Sequence, residues 1–251
     1  MQDIAGHTAA SLLSLAGDAA RCTRDILVTG RQRRADPLAQ LGRDIKLPED
    51  GESERRIREF LASRAALPVL GEEQGWSGGE SASPHWVVDP LDGSFNFFRG
   101  IPLYAVSVAL CAGRMPLLGA IYDPERDELL SGGPGLGLFL NGTALRPPPS
   151  PQQLLATGFP SYADPVVVCD RLAAQTREWK KIRMLGSAAL SLAWVAMGRL
   201  DGYAETNIMW WDVAAGLALV GAAEGAAIQA TPLAGDAMDI SVTRGGLVPA
   251  G

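Results

Sequence analysis

Histidine is nearly absent from this chain. Only His7 and His85 occur, neither beside a plausible nucleophile, which counts against a Ser-His-Asp hydrolase. Cysteine is scarce as well. Cys22, Cys111 and Cys169 are odd in number and far apart, so they read as small core residues of a reducing compartment, not as staples or zinc ligands. Positive charge is in deficit: 22 Lys and Arg face 28 Asp and Glu, a net charge of -6. That leaves no global basic field for a nucleic-acid backbone, and no nucleic-acid polymer is expected as a partner. The local cluster Arg31, Arg33 and Arg34 beside Gly30 reads as a solvated loop. No apolar run reaches membrane-spanning length, and no charged segment precedes an apolar one near the N-terminus. A soluble, cytoplasmic protein without a membrane partner is expected.

Two further absences narrow the chemistry. The glycines at 132, 133, 135 and 137 precede a strand-like segment instead of a helix, which removes a dinucleotide or P-loop reading. No Asp/Asn ladder leads into Gly93 and no Glu closes a twelve-residue loop, so the acidic segment there is not an EF-hand.

What is present is apolar material in the right periods. At 251 residues and 47% hydrophobic, the chain can bury a substantial core. Leu12, Leu13, Leu15, Ala16, Ala19, Ala20, Ile26 and Leu27 recur at helical spacing in the first thirty residues. Residues 30–48 read as a loop, and 52–61 as an amphipathic helix. Strands are expected at 68–71, 86–89, 104–111 and 116–122, with a turn at 112–114, and Leu138-Phe139-Leu140 runs into the hairpin signal Asn141-Gly142. Four prolines between Arg146 and Pro151 mark the best internal boundary. It divides one compact unit into residues 1–146 and 147–251. The second part reads as strand 154–157, helix 187–197, strand 200–205 and helix 213–223. Strands mixed with packing helices on both sides of the boundary imply a layered α/β sandwich.

Acidic residues stand at strand ends in three places: Glu72-Glu73, Asp89 with Asp92, and Asp212. Magnesium takes hard oxygen ligands, usually one or two carboxylates per ion, and leaves room for water and phosphate. Two carboxylates as close as Asp89 and Asp92 repel each other unless a cation lies between them. Gly93 permits a sharp turn, and Ser94 is positioned to cap a short helix through Phe98. Asp212 is similarly read as the N-cap of a buried helix. Taken alone, each segment reads more readily as structure, because Asp-Pro and Asp-Gly are ordinary turn dipeptides and Asp an ordinary cap.

Together the segments resemble the signatures of the inositol monophosphatase family, within the lithium-sensitive, magnesium-dependent phosphatase superfamily. The matching residues are Gly71-Glu72-Glu73, Trp86-Val87-Val88-Asp89-Pro90-Leu91-Asp92-Gly93-Ser94-Phe95-Asn96-Phe97 and Trp211-Asp212-Val213-Ala214-Ala215-Gly216, in family order. Minor marks are Asn141-Gly142, Thr157-Gly158-Phe159-Pro160 and Gly186-Ser187-Ala188-Ala189. The resemblance implies a layered α/β/α/β/α sandwich of the inositol monophosphatase and fructose-1,6-bisphosphatase type, and a homodimer. It implies a phosphomonoesterase using two or three Mg2+ ions, with Mn2+ able to substitute, on a small phosphorylated metabolite. An inositol-1-phosphate-like polyol phosphate comes first. Histidinol phosphate, a sugar bisphosphate or a 3′-phosphoadenosine nucleotide are alternatives, and a catalytically silent regulatory relative is the non-enzyme one.

The roles it implies are specific. Glu72, Asp89 and the Leu91 carbonyl would hold one ion, and Asp89, Asp92 and Asp212 a second. Asp50, with Glu54 one turn later, would serve a third, with Glu49 as a rival to Asp50. Ser94, Glu72 and Asp50 would orient the attacking water. Gly93 and Ser94 amides would hold the phosphate, while Ser187, Ala188 and Glu205 would line the substrate pocket. In place of the Lys and the Ser/Pro/Val/Thr-like stretch that the family usually shows before its acidic helix start, this chain has Asp44-Ile45-Lys46-Leu47-Pro48.

Overall fold

The helical spacing at the N-terminus is interrupted once, so it forms two helices, α1 (Ala9–Arg21) and α2 (Arg24–Arg33). Thr8 caps the first through the N–H of Ser11, and the buried Thr23 turns its hydroxyl back to the Ala20 carbonyl between the two. The computed structural model describes residues 4–33, 37–41, 44–78, 84–149, 153–159, 164–223 and 225–244.

Residues expected as a loop after Gly30 are more regular than the polar composition suggested. Helix α2 runs on through Arg33, and β1 (Ala39–Leu41) pairs antiparallel with β2 (Asp44–Lys46). Gly30 is there for space: a Cβ would lie 2.5 Å from the Glu49 side chain. Arg31 is not solvated as expected, since its Nε meets Glu125 Oε1 at 2.8 Å; Arg34 lies outside the described residues. Helix α3 (Pro48–Ala62) starts four residues before the expected point, with Pro48 in its first turn and Asp50 accepting the Leu47 N–H at 2.7 Å.

Eight strands follow in one mixed sheet: β3 (Val69–Gly71), β4 (Gly75–Ser77), β5 (His85–Asp92), β6 (Ala105–Ala112), β7 (Met115–Asp123), β8 (Glu128–Gly133), β9 (Gly137–Leu140) and β10 (Thr143–Leu145). Their order is β10-β9-β8-β7-β6-β5-β3-β4, with the short helix α4 (Ser94–Arg99) after β5. A second sheet, ordered β12-β11-β13-β15-β14, joins β11 (Leu154–Thr157), β12 (Lys181–Arg183), β13 (Gly202–Met209), β14 (Ala226–Pro232) and β15 (Ala237–Arg244). Helices α5 (Pro165–Glu178), α6 (Ala188–Met197) and α7 (Trp210–Ala222) complete the described elements.

Parity along the central strands sets the layers. Trp86, Val88, Val106, Val108 and Leu110 face one way, into a core with Leu12, Ala16, Leu27, Ile57 and Leu61 of α1–α3. Val87, Ala105 and Ala109 face the other way, into a core with α6, α7 and the second sheet. Helix α5 packs outside the second sheet against β12, giving α/β/α/β/α layers. Helices α6 and α7 are buried on nearly every side and apolar all round, as a middle layer requires. Small residues let α7 approach closely: a Cβ on Gly119 of β7 would lie 2.5 Å from the Ala215 carbonyl oxygen. The same is true of Gly216, 2.4 Å from Leu192 of α6. Cys111 is buried as expected, but Cys169 is exposed on α5 and Cys22 is half-buried.

Candidate metal and active site

Asp89 and Asp92 are three residues apart, so in a regular strand they would face opposite sides of the sheet. The β5–β6 register shifts between them, a bulge at Pro90-Leu91 that re-aims the strand end. Asp89 Oδ1 accepts the Leu91 N–H at 2.9 Å inside this bulge. Asp212 arrives from the middle layer. It is the third residue of α7, not its cap: Met209 takes that place, and Asp212 Oδ2 reaches back to the Met209 N–H at 3.2 Å. Carboxylate oxygens of Asp89, Asp92 and Asp212 consequently lie within 4.8 Å of one another. Glu72, directly after β3, faces the same cleft as Asp89.

These groups border a cleft of about 350 Å³ that Glu205 also lines. Among the described residues, no Lys, Arg or His borders it. Asp89 is buried and Asp212 half-buried, while Glu72 keeps an exposed side; enclosure by the surrounding protein and then the neighbouring carboxylates push all three above the usual carboxyl range. Asp92 rises by burial to about 6, restrained by hydrogen bonds from Ser187 Oγ at 2.5 Å and the Ala189 N–H at 2.7 Å. The start of α6 is thus spent on orienting one carboxylate.

Ser94 does not cap α4. Gly93 holds that position with φ of 90°, and the Ser94 hydroxyl lies 2.9 Å from the Leu91 carbonyl and 3.2 Å from Asp50 Oδ1. Gly93 is confined by the Leu103 and Gly186 carbonyls, 3.0 and 3.1 Å from where a Cβ would sit. Burial lifts Asp50 to about 7. Of the two rivals, Asp50 contacts Ser94, whereas Glu49 packs against Gly30. Glu54 is engaged elsewhere: its oxygens accept the Glu73 N–H at 2.7 Å, the Gln74 N–H at 3.0 Å and Arg58 Nε at 2.8 Å. Ser187 and Ala188 stand one step behind the cleft, which Gly186 borders.

Glu205 sits on β13 just before a second register shift, is buried, and is lifted by burial to about 7. Its Oε2 accepts the Tyr203 hydroxyl at 2.6 Å. Tyr203 escaped sequence reading although its signal was there: it lies two residues before Glu205, on the same face of the strand.

Residues 42–247 match the sequence profile of the inositol monophosphatase family. The chain belongs to that family. An inositol-1-monophosphatase of Mesorhizobium japonicum is 39% identical over 181 residues, 66% of this chain and 65% of the relative. A Nus factor SuhB of Pasteurella multocida is 34% identical over 85% of this chain and 83% of its own. Among solved structures, the extragenic suppressor protein SuhB of Bartonella henselae superposes with a TM-score of 0.83 at 30% identity, covering 94% of this chain and 95% of that one. The inositol monophosphatase of Anabaena superposes with a TM-score of 0.77 at 31% identity, covering 94% and 92%.

Proposed function

We propose that this chain is a magnesium-dependent phosphomonoesterase that hydrolyses a small polyol phosphate. One observation carries the reading: carboxylates, with Asp89 buried and Asp92 and Asp212 half-buried, converge on a cleft that no basic side chain lines among the described residues. Such a set is electrostatically incomplete, and its all-oxygen donors suit Mg2+ or Mn2+ better than zinc. Glu72, Asp89 and the Leu91 carbonyl would hold one ion, and Asp89, Asp92 and Asp212 another. Magnesium bound there supplies a lowered pKa for water, charge neutralisation of the phosphate and stabilisation of the leaving alkoxide.

The chain's own residues do the rest. The Gly93 and Ser94 amides, at the turn that Gly93 makes, bind phosphate oxygens. Ser94 Oγ, with Asp50 and Glu72, orients the attacking water in line with the scissile bond. Asp50, 3.2 Å from Ser94 Oγ, accepts a proton relayed through Ser94 during attack. Glu205 accepts a substrate hydroxyl, which favours a polyol phosphate. A sugar bisphosphate would bring a second phosphate to a lining without a basic side chain.

The test is phosphate release from a panel of polyol, histidinol, sugar and nucleotide phosphates. Activity should vanish with chelator and return with magnesium, and turnover by a demonstrably metal-free preparation contradicts the mechanism. Relatives named as Nus factors motivate a second reading, in which the chain also serves as a Nus factor. A homodimer and a cytoplasmic setting belong to the same proposal, as do the units 1–146 and 147–251 acting as one body.

A further inference from the structure

Glu205 is the one cleft carboxylate whose surroundings are built by the second sheet and its outer helix. Three features converge on it. Tyr203, fully buried, donates its hydroxyl to Oε2 at 2.6 Å, while Oε1 accepts no hydrogen bond among the described residues. Gly158, after β11, presses against the same carboxylate so closely that a Cβ would come within 1.9 Å of Oε2. Arg171 of α5 approaches from the side away from the main cleft, where a small void is lined by Arg171, Gly158 and Glu205. Its charge favours the ionised carboxylate, and its buried Nη1 has no hydrogen-bond partner among the described residues.

We propose that Tyr203 is a positioning residue for specificity: with Gly158 behind, it fixes one oxygen of Glu205 and leaves the other to accept a substrate hydroxyl. A free glutamate has three rotatable bonds, and locking them beforehand removes an ordering cost from binding. Tyr203 itself never meets the substrate, and the metal cluster is assembled without it. Its contribution therefore falls on recognition of hydroxyls and not on the chemical step. The proposal rests on the reading that Glu205 contacts substrate hydroxyls.

The experiment compares Tyr203→Phe, Gly158→Ala, Glu205→Gln and the Tyr203→Phe/Glu205→Gln double variant on inositol-1-phosphate and on p-nitrophenyl phosphate, which offers no hydroxyl. Magnesium affinity and melting temperature are measured alongside as checks on the metal cluster and fold. Tyr203→Phe should raise KM for inositol-1-phosphate about three- to tenfold, the size of one hydrogen bond, with kcat, magnesium affinity and p-nitrophenyl phosphate kinetics unchanged. Gly158→Ala, which displaces the carboxylate instead of freeing it, should approach the loss in Glu205→Gln. In the double variant, losing Tyr203 should add nothing further.

Equal losses on both substrates, or additive losses in the double variant, overturn the proposal by making Tyr203 a general packing residue. A Glu205→Gln loss on inositol-1-phosphate without one in Tyr203→Phe overturns the positioning role alone. No selective loss in Glu205→Gln overturns it together with the reading of Glu205 on which it stands.

Discussion

Glu54 and Asp89 are equally buried, at 0% and 1% exposure, yet the protein treats them in opposite ways. Glu54 is surrounded by donors: Arg58 one turn along α3 and the N–H groups of Glu73 and Gln74. Asp123 is answered likewise by the N–H groups of Glu125 and Arg126 and the Arg126 guanidinium, and Asp201 by those of Gln153 and Leu154. Asp89 has a backbone N–H from Leu91 and, beyond that, other carboxyl groups. A buried charge without a counter-charge is expensive, so proteins pair it or let it take up a proton. Structural carboxylates here are closed by the chain itself. Asp89 is left open to a guest of positive charge.

The contrast breaks most sharply at the aspartates. Asp89→Asn and Asp212→Asn should each cut turnover on the order of a thousandfold or more, since on the proposed mechanism each would remove a ligand to the ion that neutralises the phosphate. Neither should lower the melting temperature of the metal-free protein, and relief of like-charge repulsion should raise it. Near wild-type turnover in both would reduce these aspartates to turn residues. Glu54→Gln should do the reverse: it should destabilise the fold by about 3 kcal/mol, because Arg58 loses its counter-charge and an NH2 group replaces one of the two accepting oxygens. Denaturant unfolding checks this, and added magnesium should not restore the loss.

Ser94→Ala should lower kcat by about ten- to a hundredfold with a smaller change in KM, and Ser94→Thr should retain activity because the hydroxyl survives. Steady-state kinetics decide whether Ser94 orients water or only ties Leu91 to Asp50. A further effect is on pH-dependent stability. Asp92 at about 6 and Asp50 and Glu205 at about 7 stand above the roughly 4 of an unfolded chain. Between those values the folded protein keeps protons that the unfolded chain has released, so stability falls as pH rises from about 4 to about 7. The melting temperature of metal-free protein should decline across that window, and magnesium should shrink the decline.

The sequence already displayed the open set and concealed much of the closed one. Asp89, Asp92 and Asp212 stand in short, distinctive segments, and β3, β5, α6 and α7 are buried enough for apolar runs to mark them. Helix α5 was missed because its periodicity is weak: Val166 and Val167 are exposed, and its buried residues are Val168 and Gln175. Strand β14 was missed because it is mostly exposed, and β12 because it has three residues. Glu54 looked like an extra metal ligand one turn from Asp50. Only the fold brings the loop after β3 over it, where a Cβ on Gly71 would lie 2.5 Å from its carboxyl carbon. The start of α7 misled by a similar margin, since Asp212 acts from the third helical position and not from the cap.

If a divalent cation completes the cleft carboxylates, whose proton affinity is raised, metal binding should displace protons from them. Isothermal titration of the metal-free protein with magnesium near pH 7, repeated in buffers of different ionisation enthalpy, counts the protons released as metal binds. Saturable binding that releases protons is expected, with both binding and release sharply reduced in Asp89→Asn. Binding without proton release, or release undiminished in that variant, would contradict this reading.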